Sequence, residues 1–288
     1  MAMNSDLIQV RQLMAAASLL QNISDTPQLD CQLLLSHSLN RTREWLIAHD
    51  DDFVCSHQAG SFQRLIERRL AGEPIAYIVG YKDFWDSRFS VTPDTLIPRP
   101  ETELLVETIL DTFDNSHLVL ADFGTGSGAI AVSLAQARPG WQVIGLDLSL
   151  DALKIARKNE LGGEGIGWIQ GNWGSSICDH SLDILVSNPP YIAEEDDHLR
   201  SLRYEPKEAL VAADSGFADL KQIITQASRL LKPGGTLALE HGYDQQEQVC
   251  RQLRASDFVP RPLYDIQGNA RAVMAIQSES KASNKAET

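Results

Sequence analysis

The stretch His117-Leu-Val-Leu-Ala-Asp-Phe-Gly-Thr-Gly-Ser-Gly-Ala-Ile-Ala-Val-Ser133 decides how this chain reads. The apolar run His117–Phe123 predicts a buried strand, the alternate glycines Gly124, Gly126 and Gly128 break it, and Ile130–Ala137 predicts a helix. Strand, glycine turn and helix in that order form the context that a nucleotide-type ligand requires. Glycines let the backbone turn sharply and approach a ligand, and the helix start presents amide donors with no partner of their own.

The alternation continues outward. Strands are predicted at Trp141–Asp147, Gly167–Gln170, Leu182–Ser187 and Thr236–Glu240, with helices at Leu150–Asn159 and Leu220–Leu231. This predicts an α/β fold with a mostly parallel, doubly wound sheet. Val259–Tyr264 and Arg271–Ile276 have no helix between them and read as an antiparallel pair closing the sheet. Toward the N-terminus a helix is expected from Glu101 to about Phe113. From Leu7 to Ala71 the apolar spacing is helical: Leu7, Val10, Met14 and Ala17 fit one face, as do Phe62, Leu65, Ile66 and Leu70. Thr26-Pro27 and Thr42 read as helix starts. Gly72-Glu73-Pro74 ends that pattern, and the aromatic, β-prone stretch after it reads as a hairpin. The expected organisation is a helical bundle over 1–73, a β-hairpin linker over 74–98, the sheet domain over 99–277 and a polar, disordered tail over 278–288.

Asp147 ends the strand after the glycine loop, where a carboxylate can accept hydrogen bonds from both hydroxyls of an adenosine ribose. Its other reading is a cap for the helix starting near Ser149. The glycine spacing is GxGxG, not the GxGxxG that seats a pyrophosphate on a helix N-terminus. Asp122, just ahead of the glycines, would repel a pyrophosphate but suits the cationic parts of S-adenosylmethionine, so that cofactor is favoured over a nicotinamide dinucleotide.

Ser187-Asn-Pro-Pro-Tyr191 follows a predicted strand, and the carboxyl ends of strands are where open α/β sheets bind ligands. Pro189 and Pro190 fix their own backbone and hold the residue before each of them extended. A primary amide or exocyclic amine carries two N–H donors in one plane. The side-chain oxygen of Asn188 and the carbonyl of Pro189 can accept one each, while Tyr191 packs on the planar group. The nitrogen is then aimed at an activated methyl carbon.

These residues together resemble the PrmC/HemK family of protein-glutamine N5-methyltransferases. The resemblance extends over Gly72-Glu-Pro-Ile-Ala-Tyr77, Leu96-Ile-Pro-Arg-Pro-Glu101, Gly171-Asn-Trp173, Tyr204-Glu-Pro206, Leu239-Glu-His-Gly242 and Asp265–Arg271. NPPY alone is shared with adenine-N6 and guanine-N2 methyltransferases. The resemblance implies a Rossmann-like class I methyltransferase domain with a seven-stranded sheet whose last strand is antiparallel, and a helical N-terminal domain that recognises substrate. It implies that Gly124, Thr125, Gly126, Ser127, Gly128, Asp147, Trp173 and Asn188 bind S-adenosylmethionine. It further implies that Asn188, Pro189, Pro190 and Tyr191 are catalytic and hold the glutamine of the Gly-Gly-Gln loop of class 1 peptide-chain release factors. The implied product is S-adenosylhomocysteine.

Charge and composition narrow the alternatives. The net charge of −14 and the absence of lysine from residues 1–80 argue against direct nucleic-acid binding, which needs a basic footprint. Cys31, Cys55, Cys178 and Cys250 lie far apart with no CxxC pair, so neither a disulfide frame nor a metal site is expected. No apolar run is long enough for a membrane span, and Asp6 and Arg11 interrupt a signal-like start, so a cytoplasmic protein without membrane contact is expected. A monomer is the expected state, though no residue pattern carries that expectation. Trp173 fits either adenine stacking or the core. His241 reads as structural, and Glu194–Asp197 as a solvated face or a lid. Three rivals remain: a nucleic-acid amino-methyltransferase, a catalytically silent methyltransferase fold that only binds, and a nicotinamide oxidoreductase.

Overall fold

The structure, a computed structural model, describes residues 7–163 and 165–278. The chain divides into two compact units between Tyr81 and Lys82, and each is taken by itself. The tail read at 278–288 lies outside the described residues apart from Ser278.

In the first unit, helix α2 (Pro27–Leu39) begins on a proline, whose fixed φ suits the first helical position, and ends at Asn40 in the left-handed conformation. Helix α3 (Arg43–Ala48) is capped by Thr42, whose hydroxyl accepts the Trp45 N–H at 3.2 Å. Helix α4 (Ser56–Leu70) buries Phe62 and Ile66 against Leu34 and Leu35 of α2, whereas Leu70, expected on the same face, is exposed. Asp30 is buried but paired: Arg69 Nε donates to it at 2.9 Å and ties α2 to α4.

Two expectations here need correction. Leu7 does not start a helix. Strand β1 (Leu7–Gln9) pairs antiparallel with β2 (Phe53–Cys55), and helix α1 spans only Val10–Met14. A pairing between segments so far apart leaves no local periodicity to read. Likewise Ile75–Val79, placed within the hairpin linker, forms helix α5 and buries Ala76, Tyr77, Ile78 and Val79. The β-hairpin follows it as β3 (Tyr81–Phe84) and β4 (Ser87–Ser90).

The second unit is built on a seven-stranded sheet. Strands β5 (Val119–Phe123), β6 (Gln142–Asp147), β7 (Gly167–Gln170), β8 (Leu182–Ser187) and β9 (Leu231–Glu240) are parallel. The last strand, β11 (Ala270–Gln277), runs antiparallel between β9 and β10 (Phe258–Tyr264), in the order β10-β11-β9-β8-β5-β6-β7. This is the expected fold, with an apolar core on each face. Leu120, Ile184 and Val186 face helices α6 (Glu103–Thr112) and α7 (Ala129–Ala137). Ala121, Phe123 and Leu185 face α10 (Ala218–Leu230) and α11 (Gln246–Ala255), and α11 is a helix that the sequence reading did not include. Strands buried on both sides carry few polar interruptions, which is why they read as apolar runs. Helix α8 (Leu150–Asn159) follows β6, and α9 is a single irregular turn, Ala213–Gly216.

The order of strands places the site. From β5 the chain winds outward through β6 and β7, then returns to lay β8 on the other side of β5. The crevice at this reversal, beyond the carboxyl ends of β5 and β8, is where such sheets bind ligands.

Candidate active site

Strands β5 and β8 are paired in register, with Phe123 opposite Ser187. The glycine loop and the NPPY segment therefore leave the sheet side by side. Gly124 turns the first of them with φ 68°, a conformation that glycine adopts without strain, and the Gly124 and Thr125 amides both donate to the Leu146 carbonyl.

Gly124, Gly126, Asp147, Trp173, Asn188 and Pro190 share the wall of a cavity of about 780 Å³, within the range of small-molecule sites. Asp147 Oδ2 accepts the Gly126 N–H and its Oδ1 accepts the Ser149 N–H, each at 2.8 Å. Burial raises its pKa, and these amide bonds oppose that rise. The carboxylate keeps lone-pair capacity for a further donor. The capping role near Ser149 falls to Ser149 itself, whose hydroxyl accepts the Ala152 N–H at 3.1 Å. Trp173, at φ 47°, lines the cavity, and its ring lies 6.5 Å from the Phe123 ring in the core.

The remaining loop residues turn inward. The Thr125 hydroxyl donates to Asp122 at 2.6 Å, the Ser127 carbonyl accepts Asn159 Nδ2 at 2.9 Å, and Gly128 caps α7. Asp122 does not face a ligand as expected. It is 1% exposed, its Oδ2 also accepts the Ala131 N–H, and burial pushes its carboxyl up to about 7. It holds the loop from behind.

The charge of the cavity wall is one-sided. Asp94, Asp147, Glu208 and Asp219 line it, with no Lys, Arg or His among the described lining residues. Such a wall suits a ligand carrying a sulfonium and an ammonium group and repels a polyphosphate. The residues present therefore fit S-adenosylmethionine.

A second, smaller cavity of about 190 Å³ is bordered by Arg99, Pro189, Tyr191 and Ile192. Leu96, Asn188 and Ala209 line both cavities, and of these only Asn188 has a polar side chain. Tyr191 is held at both ends: its hydroxyl donates to Glu240 Oε1 at 3.2 Å, and its carbonyl accepts Gln245 Nε2 at 3.1 Å. Gly216, at φ 85°, packs so closely that a Cβ there would lie 2.2 Å from the Tyr191 oxygen. Arg99 pairs with the buried Glu205, whose other oxygen accepts the Ile97 N–H at 3.1 Å. This clamp joins the IPRPE and YEP segments beside the small cavity.

Two side chains passed over in the sequence stand directly behind Asn188. Asn188 Nδ2 lies 3.0 Å from Thr102 Oγ1, and Thr102 Oγ1 lies 2.7 Å from Glu240 Oε2. Both belong to or adjoin segments that carried the family resemblance, and that was their only signal. His241 is 1% exposed and bonded through Nδ1 to the Gly242 carbonyl, the structural role read for it. Glu194 forms an exposed ion pair with Lys207, and Asp196 an exposed hydrogen bond with the His198 ring. Among the described residues no His, Cys, Asp and Glu cluster suits a metal, and no helix is long and apolar enough to cross a membrane.

Known proteins match this architecture. Residues 12–80 match the family model described as the PrmC N-terminal domain, and residues 114–282 match one described as a methyltransferase domain. The release factor glutamine methyltransferase of Coxiella burnetii is 43% identical over 242 residues, covering 83% of this chain and 87% of that one. The Vibrio cholerae protein of the same name is 45% identical over 245 residues, covering 83% and 86%. A methyltransferase structure from Pyrococcus furiosus superposes with a TM-score of 0.52 at 17% identity, covering 74% of this chain and 97% of that one, a likeness of fold alone.

Proposed function

Since the chain belongs to the family of release factor glutamine methyltransferases, we propose that it methylates N5 of the glutamine in the Gly-Gly-Gln loop of a class 1 release factor. S-adenosylmethionine would supply the activated methyl group and leave as S-adenosylhomocysteine. The observation that carries this reading is the position of Asn188, the one polar side chain shared by the acid-lined cavity and the small cavity beside it. The large cavity takes the cofactor and the small one the glutamine side chain.

This chain's residues supply binding and aim. Asp147 accepts the ribose hydroxyls, and the Trp173 ring packs beside the adenine. Asn188 Oδ1 and the Pro189 carbonyl each accept one N–H of the glutamine amide, and Tyr191 packs on the amide plane. So held, the nitrogen would be free to take the methyl group from the cofactor's sulfonium, with an N–C bond formed, the C–S bond broken and the nitrogen's proton released to water. Positioning of this kind contributes up to about 7–11 kcal/mol in well-oriented systems, so no strong base is needed beforehand.

The net charge of −14 supports a protein substrate over a nucleic acid, and the reaction would take place in the cytoplasm with the release factors. Incubation with radiolabelled S-adenosylmethionine and, in separate tubes, a release factor, DNA and RNA tests the reading. Label is expected in the release factor, on the Gly-Gly-Gln peptide. Label in DNA or RNA instead would favour the amino-methyltransferase alternative.

A further inference from the structure

We infer that Thr102 and Glu240 are positioning residues for methyl transfer, together fixing which end of the Asn188 side-chain amide faces the acceptor. The inference rests on the proposed function and concerns hydrogen-bond direction, which that reading leaves open.

An asparagine amide has a donor end and an acceptor end of nearly equal shape, and only the acceptor end can receive a substrate N–H. A flipped Asn188 would present its own NH₂ to the substrate's NH₂, and no bond could form. Something must therefore select the orientation. The terminal carboxylate does so. Glu240 is 3% exposed and, when ionised, can only accept. Its Oε2 lies 2.7 Å from Thr102 Oγ1, so the single hydroxyl hydrogen of Thr102 is committed to Glu240. Thr102, itself 4% exposed, is left with lone pairs alone toward Asn188 at 3.0 Å, and the Asn188 atom facing it must be the donor Nδ2. Oδ1 then points away from Thr102.

The opposite orientation has a specific cost. If Oδ1 faced Thr102, it would need the hydroxyl hydrogen, and Glu240 Oε2 would sit 2.7 Å from an oxygen with nothing between them. A buried carboxylate oxygen that loses its donor is penalised by more than a neutral group would be. On the far side Tyr191 donates to Glu240 Oε1 at 3.2 Å. Donation thus runs toward Glu240 from Asn188, through Thr102, and from Tyr191, and one buried carboxylate orders them together.

The relay requires Glu240 to be ionised, because a protonated carboxyl has a hydrogen of its own to give and Thr102 could then accept it. Burial pushes the Glu240 carboxyl up to about 7; Glu101 adds to the rise, while the Thr102 and Tyr191 hydroxyls and Arg271 oppose it. The ordered state is therefore complete only above neutral pH.

The test uses the full chain, a release factor and labelled S-adenosylmethionine under single-turnover conditions, with cofactor affinity measured separately by calorimetry. Thr102→Val keeps the shape and removes the relay, and should lower the transfer rate by about 10–100-fold, by analogy with the loss of partners that orient metal ligands. Cofactor affinity should not follow. Thr102→Ser restores the hydroxyl and should recover most of the rate. The wild-type rate should fall as pH drops below 7, and Glu240→Gln should be slow and lack that limb. Wild-type transfer with an equally fast Thr102→Val, or with Thr102→Ser as slow as Thr102→Val, overturns the inference and leaves the function standing. No transfer by the wild type overturns both.

Discussion

The Ser187 hydroxyl donates to the Phe123 carbonyl at 2.7 Å, with Ser187 fully buried. The two residues end adjacent parallel strands, one immediately before the glycine loop and the other immediately before Asn188. This bond therefore joins the strand end before the glycine loop to the strand end before NPPY, the two segments proposed to take the cofactor and to aim the acceptor. Methyl transfer depends on that spacing, because the reacting atoms must meet in line.

Ser187→Ala removes this buried bond and should cost about 0.5–1.5 kcal/mol of unfolding free energy, the net worth of a typical intramolecular hydrogen bond. Urea denaturation measures it. The transfer rate should fall while S-adenosylmethionine binding holds. A stability loss with an unaltered rate would show that the bond is structural only.

Asp147→Ala should weaken S-adenosylmethionine binding by about 1.5–3 kcal/mol, the range for hydrogen bonds to charged groups. Part of that loss comes through the loop, since Asp147 also accepts the Gly126 and Ser149 amides. Calorimetry with S-adenosylmethionine and with its 2′-deoxyribose analogue separates the two effects. If Asp147 holds the ribose, the penalty for the missing hydroxyl disappears in the variant.

Asn188→Ala should lower kcat by about 10²–10³, as expected for loss of one preorganised polar partner of a transition state. Cofactor affinity should change far less. Single-turnover transfer to a release-factor glutamine at the wild-type rate would exclude the pair of acceptors on Asn188 and Pro189.

Burial raises the carboxyls of Asp122 and Glu240 to about 7, from ordinary values of 3.8 and 4.5. Between those limits the folded chain holds protons that the unfolded chain has released. Their contribution to stability is complete below the unfolded values and is lost as pH rises through the folded ones. Glu240→Gln cannot ionise, so its unfolding free energy relative to wild type should rise as pH goes from 4.5 to 7. Denaturation at a series of pH values reads this slope, and a flat difference would mean that Glu240 titrates normally. The pH that favours the ordered relay is thus the pH at which Glu240 stabilises the fold least.

Deleting residues 1–81 should raise KM for a release factor and leave cofactor affinity intact, because both cavities are lined from the second unit alone. Helix α4 and its neighbours carry exposed apolar side chains, Ile47, Phe53 and Leu70 among them, on a unit with its own core. A folded truncation, checked by circular dichroism, with unaltered KM would assign that unit to stability rather than docking.

Much of this protein was open to reading from its amino-acid order. The strands from Val119 to Glu240 stood out as apolar runs because both sheet faces are covered. Gly124, Asp147 and Asn188 stood out because turn geometry and strand ends are local properties. What local order does not contain is the meeting of distant segments. Leu7–Gln9 reads as helix until Phe53–Cys55 pairs with it. Asp122 looks like a ligand-facing acid, but alternation along β5 turns it inward, where Thr125 and the Ala131 amide bind it. Thr102, Asn188 and Glu240 come from a turn before α6, the end of β8 and the end of β9, and no spacing along the chain connects them. Hydrophobic periodicity and turn chemistry act over a few residues and specify the elements. The partners of a buried hydroxyl or carboxylate depend on which strand lies beside which, and only the assembled sheet decides that.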